Sequence, residues 1–250
     1  MALLSIAVTP GRAGHRAPEV PRGRPLEYEA SARYFGKVGP FEPMAETAAR
    51  WQYDGRRSLR SATLGSYARV ARHLKLGAFW CVQYGARHDD DWVRDAPNMW
   101  SWRDTTRRPE HVLVLDATPR GELAFLPGRW TASLKLRWEH NFFDKGGTVK
   151  VEPELAWFWM DGLTPKATVF LRHGTYLPLN FGGRRVYERW WYLAGLWHAG
   201  PGLSVGPSVA LRDEFWNTST SYRTVGPPGS QYRALYRSLV AGLTVVGRWR

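Results

Sequence analysis

The segment WTASLKLRWEHNF, residues 130–142, decides the fold class of this chain. Apolar side chains occupy alternate positions from Trp130 through Leu134 and Leu136 to Trp138, and the positions between them carry Thr, Ser, Lys, Arg and Glu. Successive side chains of a β-strand point to opposite faces, whereas those of a helix repeat every ~3.6 residues. The segment is therefore predicted to be a strand with one apolar and one charged face.

A second alternating segment, residues 148–159, follows the turn-forming sequence Asp144-Lys145-Gly146-Gly147, so the two segments predict a β-hairpin. A turn centred on Asp144-Lys145 places opposite charges across the hairpin in three pairs: Lys135–Glu154, Arg137–Glu152 and Glu139–Lys150. A register shifted by two would instead oppose Glu139 to Glu152. Because like charges facing each other are unfavourable, we expect the first register.

The same alternation recurs along the chain after residue 26, and helical periodicity is hard to find. Including the hairpin, eleven candidate strands follow one another: residues 26–34, 45–53, 59–71, 74–88, 111–117, 130–142, 148–159, 166–179, 188–197, 203–215 and 238–249. Turn residues separate them. This pattern predicts an all-β chain that forms a closed antiparallel up-and-down barrel.

Three features favour a barrel with its apolar face outward, in lipid, over a soluble barrel with an apolar core. The polar face contains many Gly, Ser, Thr and Ala residues, which suit a crowded lumen. The connections alternate between short and long, as in membrane barrels. Aromatic residues cluster near strand ends, as in the aromatic girdles of such barrels. We therefore expect an outward direction for these seven side chains: Leu134, Leu136, Leu155, Trp157, Leu171, Val209 and Leu243.

The end of the chain carries a family resemblance. Leu239, Ala241, Leu243 and Val245 share one face, and Trp249 follows one residue before the chain end. This resembles the terminal strand and assembly signal of Gram-negative outer-membrane β-barrel proteins, although Arg250 follows the aromatic residue that usually comes last. The resemblance implies a bacterial outer-membrane location and recognition by the barrel-assembly machinery. Because such barrels normally have an even number of strands, we expect ten or twelve, and favour twelve.

Composition excludes several other classes of protein. No apolar run approaches the ~18 residues of a membrane-spanning helix. Lys and Arg outnumber Asp and Glu by 35 to 22, but the basic residues recur singly instead of forming a nucleic-acid-binding patch, so no nucleic-acid partner is expected. Cys81 is the single cysteine, which excludes an intramolecular disulfide and a cysteine metal cluster. No metal and no cofactor are predicted.

The start of the sequence is basic and rich in Pro and Gly, which divides the chain into two predicted regions. Residues 1–25 are expected to be a leader or a disordered periplasmic tail, and residues 26–250 the transmembrane barrel. The apolar stretch of residues 2–8 is short for a secretory signal and has no preceding Lys or Arg, so the start is expected to be truncated or atypical.

Candidate catalytic residues are few. His88-Asp89-Asp90-Asp91 begins the longest connection and could activate water, as at the rim of outer-membrane proteases, but a solvated acidic loop explains it better. His173 and Thr175 share the predicted outer face, with a spacing similar to the His-x-Ser of the outer-membrane phospholipase. Trp92, Trp100 and Trp102 could stack on sugars or anchor a loop at the membrane surface.

The predicted function is a small channel with a basic, anion-preferring lumen, similar in composition to barrels that take up acidic sugars through Arg-lined interiors. The alternatives are a hydrolase of lipid or peptide, and a structural or surface-interaction barrel; an enzyme is not the favoured interpretation. The residues expected to line the lumen and contact anions are Arg69, Arg87, Lys135, Arg137, Lys150, Arg172, Arg212 and Arg237. Among them Arg69, Arg87, Arg172 and Arg237 are expected to lack acidic partners. The expected partners are outer-membrane lipid, lipopolysaccharide and small anionic solutes.

Overall fold

The computed structural model describes residues 23–51, 57–85, 92–96, 99–102, 109–142, 146–179, 186, 188–217 and 233–249. Within these ranges the secondary structure is entirely β. In chain order, the strands are β1 (Leu26–Phe35), β2 (Phe41–Trp51), β3 (Arg57–Ala71), β4 (Leu74–Gly85), β5 (Trp92–Ala96), β6 (Met99–Trp102), β7 (Glu110–Glu122), β8 (Arg129–Asn141), β9 (Gly147–Asp161), β10 (Thr164–Pro178), β11 (Glu188–Gly200), β12 (Leu203–Asn217) and β13 (Arg233–Arg248).

Eleven of the described strands form one closed barrel, and β5 and β6 form a separate two-stranded sheet between β4 and β7. Each barrel strand pairs antiparallel with the next one along the chain. The barrel closes through β1 and β13, which are parallel. The parallel seam follows from parity: when an odd number of strands alternate in direction, the first and last strands run the same way.

The structure confirms the candidate strands but not the predicted number of strands in the barrel. All eleven candidate segments correspond to barrel strands. The preference for twelve strands is wrong for the described part of the chain, because it relied on an even-number rule that a parallel closure does not obey. The leader or tail predicted for residues 1–25 falls outside the described residues, except for its last three.

The two ends of the barrel differ in their connections. At one end, which we call the turn end, strands are joined by residues 36–40, 72–73, 123–128, 162–163 and 201–202. At the other, the loop end, the connections include residues 86–109, 179–187 and 218–232. The turn of residues 201–202 requires glycine at position 202. The φ of Gly202 is +84°, and a Cβ there would lie 2.2 Å from the carbonyl oxygen of Arg248.

The apolar face of the barrel points outward. The seven side chains chosen from the sequence for the outer face are all exposed, which confirms their predicted direction: Leu134, Leu136, Leu155, Trp157, Leu171, Val209 and Leu243. Two apolar clusters pack inside: one comprises Met44, Phe79, Val112 and Val114, and the other comprises Trp190, Ala210 and Val240. Buried polar and charged side chains share the interior with them.

Candidate functional site

A cavity of about 280 Å³ lies in the barrel lumen. It is lined by inward side chains from strands around the barrel, because alternate residues of each strand point into the lumen. Six cationic residues line it, Arg33, Arg50, Lys135, Arg137, Lys150 and Arg172, but only three carboxylates do, Glu29, Glu46 and Glu152. The cavity wall therefore presents more positive than negative groups.

On β1 and β2, the lining charges form two ion pairs. The Nε of Arg33 lies 2.9 Å from Glu46, and Nη2 of Arg50 lies 3.0 Å from Glu29. The partners are in facing registers on the two strands. Both members of each pair line the cavity.

On β7 to β10, each lining cation is paired with a carboxylate, and most of these carboxylates do not line the cavity. Arg137 donates two hydrogen bonds to Asp116, at 2.7 and 2.8 Å, and Nε of Arg172 donates to Glu154 at 2.9 Å. These cations line the cavity, whereas Asp116 and Glu154 do not. Two further pairs complete the layer: Lys135–Glu152 at 2.9 Å and Lys150–Glu139 at 2.8 Å.

Aromatic rings hold several of these cations in place. The guanidinium of Arg50 lies 4.8 Å from the ring centre of Trp190, and the ammonium of Lys150 lies 4.5 Å from that of Tyr176. Arg172 contacts the rings of Phe170 and Tyr192, which are stacked on each other. Such contacts restrict the cationic side chains.

Arg212 occupies a separate buried cluster toward the loop end. Its guanidinium forms ion pairs with Glu188, with Glu214 at 2.7 Å and with Glu27 at 3.6 Å, and the Arg212 side chain is 8% exposed. The guanidinium also lies 5.2 Å from the Trp190 ring. Arg212 does not line the cavity. Its surroundings are those of a structural ion cluster.

The predicted lumen residues have different locations in the structure. Lys135, Arg137, Lys150 and Arg172 line the cavity together. Arg69 is exposed near the turn end of β3, and Arg87 lies outside the described residues.

Two of the charge predictions are wrong. Arg237 is exposed between the buried Tyr236 and Ser238, so it points out of the barrel, on the face of Leu239. Arg172 was expected to be unpaired, but it is bonded to Glu154.

The predicted hairpin register is also wrong. Lys135 faces Glu152, Arg137 faces Lys150 and Glu139 faces Thr148, a shift of two residues from the expected pairing. The cause is the turn: His140 pairs with Gly147, and Asn141 N–H bonds the carbonyl of Gly146, which centres the connection one residue earlier. Like-charge opposition of Arg137 and Lys150 is tolerated because each cation finds a carboxylate elsewhere.

Sequence reasoning missed much of the acidic side of the lumen. Glu29, Glu46 and Asp116 come from β1, β2 and β7, which gave the weakest alternation. On β1 and β2 the outer face carries Ala30, Ala32 and other small residues, so polarity contrast between the faces is low. One feature of the sequence could have revealed the inward face of β1: polar side chains occupy alternate positions at Glu27, Glu29, Ser31 and Arg33.

The candidate catalytic residues do not form a complete site. On the outer wall, Nε2 of His173 lies 3.1 Å from Oγ1 of Thr175, and the ring packs on Trp191. Nδ1 of His173 has no hydrogen-bond partner in the part of the chain that the structure describes, so no carboxylate orients the ring there. His88 and the three following aspartates lie outside the described residues, and the side chains of Trp92, Trp100 and Trp102 are not described.

No protein family, curated protein or solved structure significantly matches the chain. Among the described residues, no helix is long and apolar enough to cross a membrane. Within the same ranges, no three His, Cys, Asp or Glu side chains are grouped as metal ligands.

Proposed function

We propose that this protein is a bacterial outer-membrane barrel whose lumen conducts small anions. The outer wall supports the membrane part of the proposal. On β12, exposed apolar residues run from Leu203 to Leu211, which spans about 26 Å at ~3.3 Å per residue. Because strands of outer-membrane barrels tilt by roughly 35–45°, this length covers about 20 Å of membrane thickness, against an apolar band of ~25 Å on such barrels.

The cavity wall supports the channel part. Six cations and three carboxylates line it, because Asp116, Glu139 and Glu154, which pair with three of the cations, are not part of the lining. Basic side chains along a lumen favour anions, and a low-dielectric wall strengthens their field. With a volume of about 280 Å³, the cavity suits a small solute. The unequal cavity lining is the observation that carries this proposal.

Conductance across a planar bilayer, with reversal potentials measured in a salt gradient, tests the proposal. We expect current through the purified protein and a preference for anions. The informative variant is Arg172→Gln with Glu154→Gln, which removes one cavity-lining cation together with its ion-pair partner, which does not line the cavity. Removing both members leaves no unpaired buried charge. We expect weaker anion preference in this double variant.

Arg237→Gln is the matched control, because it removes an arginine from the outer wall. Its anion preference should equal that of the unmodified protein. Cation preference, or no conductance in bilayers that contain the inserted protein, would reject the channel.

A further inference from the structure

A row of charged residues crosses the outer wall of the barrel near the loop end. Arg189 on β11 is the register partner of Asp213 on β12, which is in turn the partner of Arg237 on β13. Arg189 and Arg237 are exposed, and all three alternate with buried inward neighbours. Arg24, just before β1, reaches the same place: its Nη2 lies 2.8 Å from Oδ1 of Asp213.

The row has a surplus of positive charge. Asp213 also accepts a contact from Nη2 of Arg189 at 3.4 Å, so one carboxylate serves two arginines. Among the described residues, Arg237 forms no ion pair, although Asp213 is its neighbour in the ladder. Two guanidinium groups therefore contact a single carboxylate, a third arginine lies on the neighbouring strand, and the net charge of the row is positive by two.

The row lies directly beside outward apolar residues of the barrel wall. The next outward residues toward the turn end are Trp191, Leu211 and Leu239, which are register partners of one another. Trp191 and Leu211 are exposed apolar side chains. The next outward pair toward the loop end is Phe215 and Leu235, and the Arg189 guanidinium lies 5.1 Å from the Phe215 ring. If the apolar wall is embedded in lipid, as proposed above, the row lies in the interfacial layer near the loop end, where charged and aromatic side chains meet the lipid headgroups.

We infer that Arg24, Arg189 and Arg237 form a binding site for the phosphate group of an anionic lipid. The planar guanidinium group carries donors that match phosphate oxygens in pairs, and it is less strongly hydrated than an ammonium group. A lipid whose chains pack on Trp191 and Leu211 would place its phosphate against these arginines. Asp213 is the one acidic group of the row and contacts both Arg24 and Arg189, so its negative charge opposes an incoming phosphate. This inference rests on the membrane part of the proposed function.

The test measures binding of phosphatidylglycerol to the purified full-length protein in neutral detergent, by native mass spectrometry across a lipid titration. Arg189→Gln with Arg237→Gln should weaken binding by about 25-fold, because each basic residue near an anionic lipid surface contributes about fivefold. Arg129→Gln is the matched control: Arg129 is an exposed arginine at the turn end, 3.6 Å from Glu122. Its affinity for the lipid should be unchanged.

The variant Asp213→Asn tests whether the arginine row binds a lipid phosphate or only stabilises the barrel through its ion pairs. A lipid site should bind phosphatidylglycerol at least as tightly when its one carboxylate is neutralised, whereas weaker binding would overturn the inference. Equal binding by the double arginine variant and the unmodified protein would also overturn it. Inorganic phosphate that competes fully with the lipid at equal concentration would show a free-anion site and reject the lipid assignment.

Reconstitution into bilayers of phosphatidylcholine alone keeps the two proposals separate. Failure to insert there would reject the membrane proposal itself. Insertion, with no preference for phosphatidylglycerol over phosphatidylcholine in the detergent titration, would reject only the lipid site.

Discussion

Replacing Arg212 by Met is expected to destabilise the barrel strongly. The side chain is almost fully buried and holds three carboxylates, those of Glu27, Glu188 and Glu214. Removing one partner of a buried ion pair costs about 3–5 kcal/mol, because the other charge stays buried without compensation. Here three acidic groups lose the same cation and then repel one another, so we expect a loss of at least that size in the free energy of unfolding.

Urea unfolding of the reconstituted protein, followed by tryptophan fluorescence, measures this loss. Arg129→Met is the control for a general effect of losing an arginine: its ion pair with Glu122 is exposed, and such pairs contribute about 0–1 kcal/mol. Adding Glu188→Gln and Glu214→Gln to the Arg212 variant should recover part of the stability. An Arg212→Met protein as stable as the unmodified one would refute the assignment of this cluster as a structural unit.

Three further predictions concern the seam, the outer wall and a close strand contact. In a Cys81→Ser background, Ala32→Cys with Val245→Cys should form a disulfide on mild oxidation, detected by mass spectrometry, because these residues are register partners across the parallel seam. Leu171→Arg should reduce the unfolding free energy in bilayers by about 2–4 kcal/mol, the cost of an arginine facing lipid near the midplane. Gly206→Ala should cost about 1–3 kcal/mol or more in urea unfolding, because its Cβ would lie 1.7 Å from the carbonyl oxygen of the neighbouring strand.

Each of these changes has a matched control. Ala32→Cys with Val205→Cys should not crosslink, because Val205 lies one strand beyond Val245. A further strand inserted in the seam would abolish the Ala32–Val245 disulfide. Leu171→Ala should be much milder than Leu171→Arg, and equal losses would argue against lipid contact. Gly121→Ala should be nearly neutral, since no atom lies within 4 Å of its Cβ position, and a loss equal to that of Gly206→Ala would contradict the contact argument.

Local pattern was enough to find every barrel strand. Each strand has its own two-residue alternation, which depends only on residues close together in the sequence. The number of strands that close a barrel is a different kind of property. It depends on whether the first and last strands can pair, here Leu26–Phe35 with the second half of β13, and such pairing joins residues more than 200 positions apart. The prediction of twelve strands used the even-number rule in place of this long-range pairing and was wrong.

The face to which a side chain points can be predicted more reliably than its cross-strand partner, because side chains of a strand alternate with a period of two residues. A register error of two residues, as in the β8–β9 hairpin, returns every side chain to the same face. Leu134 and Leu155 therefore remained outward although the predicted pairs Lys135–Glu154 and Arg137–Glu152 did not form. Arg237 was predicted to line the lumen, and that prediction was wrong because Arg237 shares the alternate positions of Leu239, whose face is outward.

Charge in a lumen is therefore harder to infer from sequence than the apolar surface around it. Arg137 takes its carboxylate from Asp116, on the preceding strand, and not from the hairpin partner that its own turn suggested. Pairing alone also leaves open which partner faces the cavity. Arg137 lines it and Asp116 does not, so a neutral pair still presents a cation to a solute. The proposed anion preference follows from that orientation of paired charges, and the surplus of Lys and Arg in the sequence does not by itself imply it.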